Sequence, residues 1–104
     1  MRRVSRVRVP PGCLESAPVR EFELSEPVDE PLMRSLAEGG RLQYFASFPR
    51  PLFRIDRPLA FTAQGIVGSP ILRVTFSPSA GSGVREDLLR TLGGAEALEW
   101  NGRS

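Results

Sequence analysis

Hydrophobic and polar positions alternate most clearly between Phe61 and Phe76, FTAQGIVGSPILRVTF. Two runs of period two flank Gly68-Ser69, which predicts a β-hairpin with a two-residue type II′ turn and glycine in its first position. Setting Val67 opposite Pro70 pairs Ile66 with Ile71, Gly65 with Leu72, Gln64 with Arg73, Ala63 with Val74, Thr62 with Thr75 and Phe61 with Phe76. One side of this ladder is apolar. The other carries Thr62, Gln64, Arg73 and Thr75, with the Ile66/Ile71 pair near the turn as the exception. A slip of one residue would send Phe61 and Phe76 to opposite faces, so the pattern specifies its own register. Pro70 falls at the start of a strand, where its missing N–H is tolerated.

The other elements follow from the same reading. VREFEL (19–24) alternates, with Phe22 and Leu24 opposite Val19, Glu21 and Glu23, as a half-buried strand does. Asp29 stands at an N-cap position before Glu30 and Pro31, and Leu32, Met33, Leu36 and Ala37 form a stripe at helical spacing. These predict a helix over 30–38, stapled by Val28 against Met33 and ended by Gly39-Gly40. Residues 42–48 are aromatic-rich and extended, Pro49-Arg50-Pro51 interrupts them, and 52–56 resume the strand. After a Ser/Pro/Gly/Ala loop, Ser82 is the expected cap of a second helix. Val84, Leu88, Leu89 and Leu92 supply its buried stripe, Glu86 and Asp87 lie near its positive end, and Gly93-Gly94 stop it. The expected fold is α+β in the order β-α-β-β-β-α, one antiparallel sheet with two helices on its apolar face. The domain spans 19–94, and 95–104, with Trp100, form a frayed tail.

Residues 1–18 fall outside this pattern. The string RRVSRVRVPPGC resembles the translated end of a transfer-RNA gene, because Arg6 to Pro10 can be written CGG-GTT-CGA-GTC-CC, which contains the T-loop GTTCGA. That resemblance implies a misassigned start, with the true one near Val19. The alternative is a basic arm that orders only on nucleic acid or an acidic lipid surface. Either way the leader is expected to have no structure of its own.

Charge follows the same division. Arg2, Arg3, Arg6 and Arg8 against Glu15 give residues 1–19 a net +3, while 20–104 hold ten Arg against eleven Asp/Glu, a net −1. A near-neutral body lacks the electrostatic footprint of nucleic-acid binders. All 14 basic residues are arginine, scattered as codon bias in a GC-rich genome would leave them. One cysteine, Cys13, and no histidine exclude an intrachain disulfide and ordinary zinc or iron sites, so no metal and no cofactor are expected. No apolar run approaches a membrane span, and Arg2-Arg3 is not followed by the apolar stretch of a signal peptide, which makes the cytoplasm the expected location. A folded part of about 75 residues buries a small core, so pairing with itself or another protein is also expected.

Catalysis by a Ser/His or Cys/His pair has no base in this body. The carboxylate pairs Asp29/Glu30 and Glu86/Asp87 suit helix starts, and Glu21/Glu23 suit a wet strand face. Ala80-Gly81-Ser82-Gly83 lacks the spacing and the lysine of a P-loop. The candidate binding face is the outer side of the sheet, where Arg54, Gln64 and Arg73 would converge with Tyr44 or Phe45 at their border. A solvated face is the plainest use of such residues. Arginines beside an aromatic ring also suit a protein interface or single-stranded nucleic acid. Residues 29–93, with GSGVREDLL, resemble double-stranded-RNA-binding domains, which share an α-β-β-β-α order. That family grips phosphates with a lysine-rich helix start, whereas here Arg85 stands beside Glu86 and Asp87, so its function does not carry over. Phe48 to Phe53, FPRPLF, reads as an edge-strand break with buried phenylalanines rather than a polyproline-type ligand. The expected function is a non-enzymatic protein-interaction or complex subunit, with weak nucleic-acid binding through the open sheet face as the alternative.

Overall fold

The computed structural model describes residues 3–12, 14, 17–47 and 49–93; Cys13, Phe48, Trp100 and the rest of the expected tail lie outside them. The chain folds as β1 (Val4–Arg8), β2 (Val19–Leu24), α1 (Glu30–Leu36), β3 (Arg41–Phe45), β4 (Leu52–Arg57), β5 (Phe61–Ile66), β6 (Ile71–Phe76) and α2 (Ser82–Thr91). All six strands join one antiparallel sheet in the order β1-β2-β6-β5-β4-β3, so the protein is mixed α+β.

The element order corrects the expected β-α-β-β-β-α in two places. Residues 41–57 are not one interrupted strand but a hairpin, with Phe45 opposite Leu52 and Arg41 opposite Asp56. Pro49 and Pro51 cannot donate to a ladder, so the chain leaves the sheet there and returns antiparallel. Four strands therefore lie between the helices, one more than the double-stranded-RNA-binding order has. The second correction is at the start. Val4–Arg8 is an edge strand on β2, with Val4 opposite Leu24 and Val7 opposite Phe22. A register shift between Val4 and Arg6 brings both valines, three residues apart, into the core, where they are 1% and 2% exposed. The leader expected to lack structure thus completes the sheet.

The β5–β6 ladder has the expected register from Phe61/Phe76 to Gly65/Leu72. Its turn differs by one residue. A turn centred on Gly68-Ser69 would be closed by the N–H of residue 70, which proline lacks. Instead Ser69 N–H donates to the Ile66 carbonyl at 3.0 Å, and Gly68 takes the left-handed position with φ 98°. The loop before α1 clasps this corner, because Gly68 N–H donates to Val28 O and Val28 N–H to Ser69 O.

The Asp29 side chain caps α1 by accepting from Leu32 N–H at 3.0 Å, and Pro31 occupies its first turn. In α2, Gly81 takes the cap position without a side-chain bond, and Ser82 is the first helical residue rather than the cap. Glu86 and Asp87 consequently fall in the second turn, where Asp87 pairs with Arg90 at 2.6 Å. Leu32, Met33 and Leu36 of α1 and Leu88 and Leu92 of α2 belong to one buried cluster with Phe22, Phe53, Phe61, Leu72, Val74 and Phe76 of the sheet. Phe22 and Phe76 meet edge to face at 6.5 Å. No helix among the described residues is long and apolar enough to cross a membrane, and no group of three or more of their Asp, Glu, Cys or His side chains is arranged to hold a metal ion.

Candidate binding face of the sheet

The pleat sends alternate side chains to the face opposite this core. Cross-strand pairing there aligns Arg8, Glu21, Arg73, Gln64, Arg54 and Gln43 in a single row that crosses all six strands, each directly opposite the next. Two residues along, roughly 7 Å away, runs an apolar row. Phe45 faces Leu52, and Leu52 faces Ile66, with Ile71 beside it on β6. On the other side of the polar row, Thr75, Thr62, Asp56 and Arg41 are cross-strand neighbours.

Glu21 anchors the polar row. Its carboxylate accepts from Arg73 Nη2 at 2.9 Å and from Arg8 Nε at 3.1 Å, one guanidinium per oxygen. The two arginines shield it to 8% exposure. The Arg73 hydrogen bond is the main reason its pKa lies below the ordinary glutamate value; desolvation opposes the shift, and the Arg8 bond adds to it. Glu21 was expected on a wet strand face. Its burial depends on Arg8, which the sequence pattern leaves outside the fold.

Arg54 differs. No carboxylate lies within salt-bridge distance of it among the described residues, and its guanidinium makes no hydrogen bond to them. Three arginines against one glutamate leave the row with a net +2, one charge at the Arg8–Glu21–Arg73 cluster and one at Arg54. Between the polar and apolar rows lies an open concavity of about 560 Å³, bordered by Arg54, Gln64, Arg73 and the arginine-paired Glu21 and by Phe45, Leu52, Ile66 and Ile71. Phe45 and Leu52 are 41% and 37% exposed. A guanidinium without an internal acid beside exposed apolar side chains can receive an anionic group attached to an apolar body.

Three of the four expected site residues, Arg54, Gln64 and Arg73, adjoin one another here. Tyr44 does not. It lies opposite Phe53 on the other face of the sheet, half-buried against the core, and Phe45 takes the place expected of it. The sequence RLQYF is apolar on both parities, so alternation alone could not choose between the two rings. Leu52 shares the outward parity of Arg54 and Asp56 on β4, and only its cross-strand pairing with Phe45 and Ile66 places it in the apolar row. Ile66 and Ile71, the one exception to the sorting of the hairpin's faces, were the available signal for the apolar row. The FPRPLF segment is built into the fold at Pro51, whose carbonyl accepts from Val67 N–H, and at the buried Phe53. No family model matches the chain, and neither does any curated protein or solved structure.

Proposed function

We propose that the chain is a cytoplasmic, non-enzymatic interaction protein, acting alone or as a subunit of a larger complex. Its open sheet face docks a partner protein that presents an acidic side chain flanked by apolar ones. The observation that carries this reading is Arg54, a guanidinium with no acid of its own, at the border of a trough walled by Phe45, Leu52, Ile66 and Ile71. Arginine and aromatic residues are enriched in protein interfaces, and an exposed apolar patch of this kind marks a contact surface. Exposed Phe45 also supports a second reading, weak binding of single-stranded nucleic acid by base stacking. Glu21 and Glu23 on β2 and Asp56 on β4 share that face and disfavour the repeated charges of a phosphate backbone more than a single acidic side chain placed at Arg54.

Selecting displayed random peptides on the full chain tests the proposal. Enriched peptides should hold Asp or Glu beside Leu, Ile or Phe, and Arg54→Glu should weaken them roughly tenfold or more. Enrichment that ignores acidic residues, or binding untouched by Arg54→Glu, overturns it. Steeply salt-dependent binding of a labelled single-stranded RNA, with no peptide enriched, establishes the second reading instead.

A further inference from the structure

The sheet has two edges, β1 and β3, and they differ in kind. The β1 edge has the devices that discourage further pairing: a register shift between Val4 and Arg6, arginines at 6 and 8, and Pro10-Pro11 directly after the strand. β3 shares only the arginine, at Arg41, and lacks the register shift and the proline pair. Its ladder with β4 runs unbroken from Arg41/Asp56 to Phe45/Leu52, and it contains neither proline nor lysine. An edge with an unbroken register and no proline is a template for another strand.

We propose that a second copy of this chain pairs with β3, edge to edge and antiparallel, about a two-fold axis through Gln43. The chemistry of the strand selects both the partner and the register. A two-fold axis normal to the sheet keeps core side against core side, so only residues of the same parity can face each other. Among such registers, only the one centred on Gln43 pairs all five residues. Centring on Leu42 or Tyr44 leaves two residues of each strand without a counterpart.

In the Gln43 register every pair is chemically matched. Leu42 meets Tyr44 of the second copy on the core side, where each is only half-buried in a single chain. Arg41 meets the ring of Phe45, an arrangement suited to a cation–π contact, and on the same outer side Gln43 meets Gln43, whose amides both donate and accept. No like charges oppose each other. The polar row then continues from one Arg54 through the two Gln43 side chains to the other Arg54, so the two trough-bearing faces lie side by side and remain open. The pairing shares only Phe45 with the trough, so it is tested separately from peptide binding. It also supplies buried area to a chain with a small core.

Cross-linking at the axis tests this. In the full chain carrying Cys13→Ser, the further change Gln43→Cys places two thiols directly opposite each other, within the separation a disulfide spans. Mild oxidation should yield a covalent dimer in high proportion, while Asp56→Cys on the neighbouring inner strand should yield little. In sedimentation the unmodified chain should dimerise, and Gln43→Lys should raise the dimer dissociation constant roughly tenfold or more by opposing two like charges, with an unchanged circular dichroism spectrum. Cross-linking no faster at position 43 than at position 56 overturns the proposal. So does a dimer that Gln43→Lys leaves intact while still folded.

Discussion

Arg8 and Glu21 face each other across the β1–β2 ladder with Nε 3.1 Å from Oε1, and the second oxygen of the same carboxylate takes its bond from Arg73 on the next strand. A segment that charge and composition set apart from the domain is therefore joined through one glutamate to the candidate binding face. The pairing orders the Arg73 end of the polar row and leaves the Arg54 end available.

Stability should depend on pH through Glu21. Its pKa is lower in the folded chain than the ordinary value of 4.5. The stabilisation it supplies is therefore complete above that value and is lost as the pH falls through the folded one. Urea unfolding of the parent chain and of Glu21→Gln should differ by about 1 kcal/mol at neutral pH, allowing for the half-exposed arginines. The gap should narrow as the pH falls below 4.5 and through the lowered folded value, and a gap independent of pH would contradict this account of Glu21.

The first strand should contribute to stability although it resembles no ordinary protein sequence. Val7→Ala should lower the unfolding free energy by about 1–3 kcal/mol, because Val7 is buried against the core. Ser5→Ala on the exposed side should stay within about 0.5 kcal/mol. Equal, negligible effects of the two in chemical denaturation would mean that the strand is not docked.

Two glycines should respond to alanine with opposite signs. A Cβ at Gly40 would lie 2.6 Å from the Asp56 carbonyl oxygen, which is part of the β4 backbone and cannot swing away. Gly40→Ala should therefore cost about 2 kcal/mol or more. Gly83 is the second residue of α2, with open space around it, so Gly83→Ala should stabilise by at most about 0.5 kcal/mol, less than in a helix interior. Melting temperatures of the two variants check both.

What was legible in the sequence was whatever a strict period encodes. The Phe61–Phe76 ladder and α1 with its Asp29 cap follow from spacing alone, and the structure has both. β1 escaped because its two core residues, Val4 and Val7, are three apart. The register shift that aims both inward breaks the period of two by which strands are recognised. The hairpin turn lies one residue earlier than the Gly-Ser dipeptide suggests, because Pro70 has no N–H to close a turn centred on Gly68-Ser69. Arg20 is buried on the core side of β2, and its Nη1 donates to the carbonyls of Ala17 and Val19, a local solution that composition does not announce. For the site, parity identified Arg54, Gln64 and Arg73, but the pairing of Glu21 with Arg8 depends on long-range strand order.

The docking role of the open face is tested most directly by amide shift mapping of the 15N-labelled full chain against two short acetylated peptides, one with aspartate between leucine and phenylalanine and one with lysine in its place. The aspartate peptide should move the resonances of Leu52, Arg54, Gln64, Ile66 and Arg73 while leaving those of α1 and α2 in place, and the lysine peptide should move none of them. Equal shifts from both peptides, or shifts confined to the helices, would contradict the account.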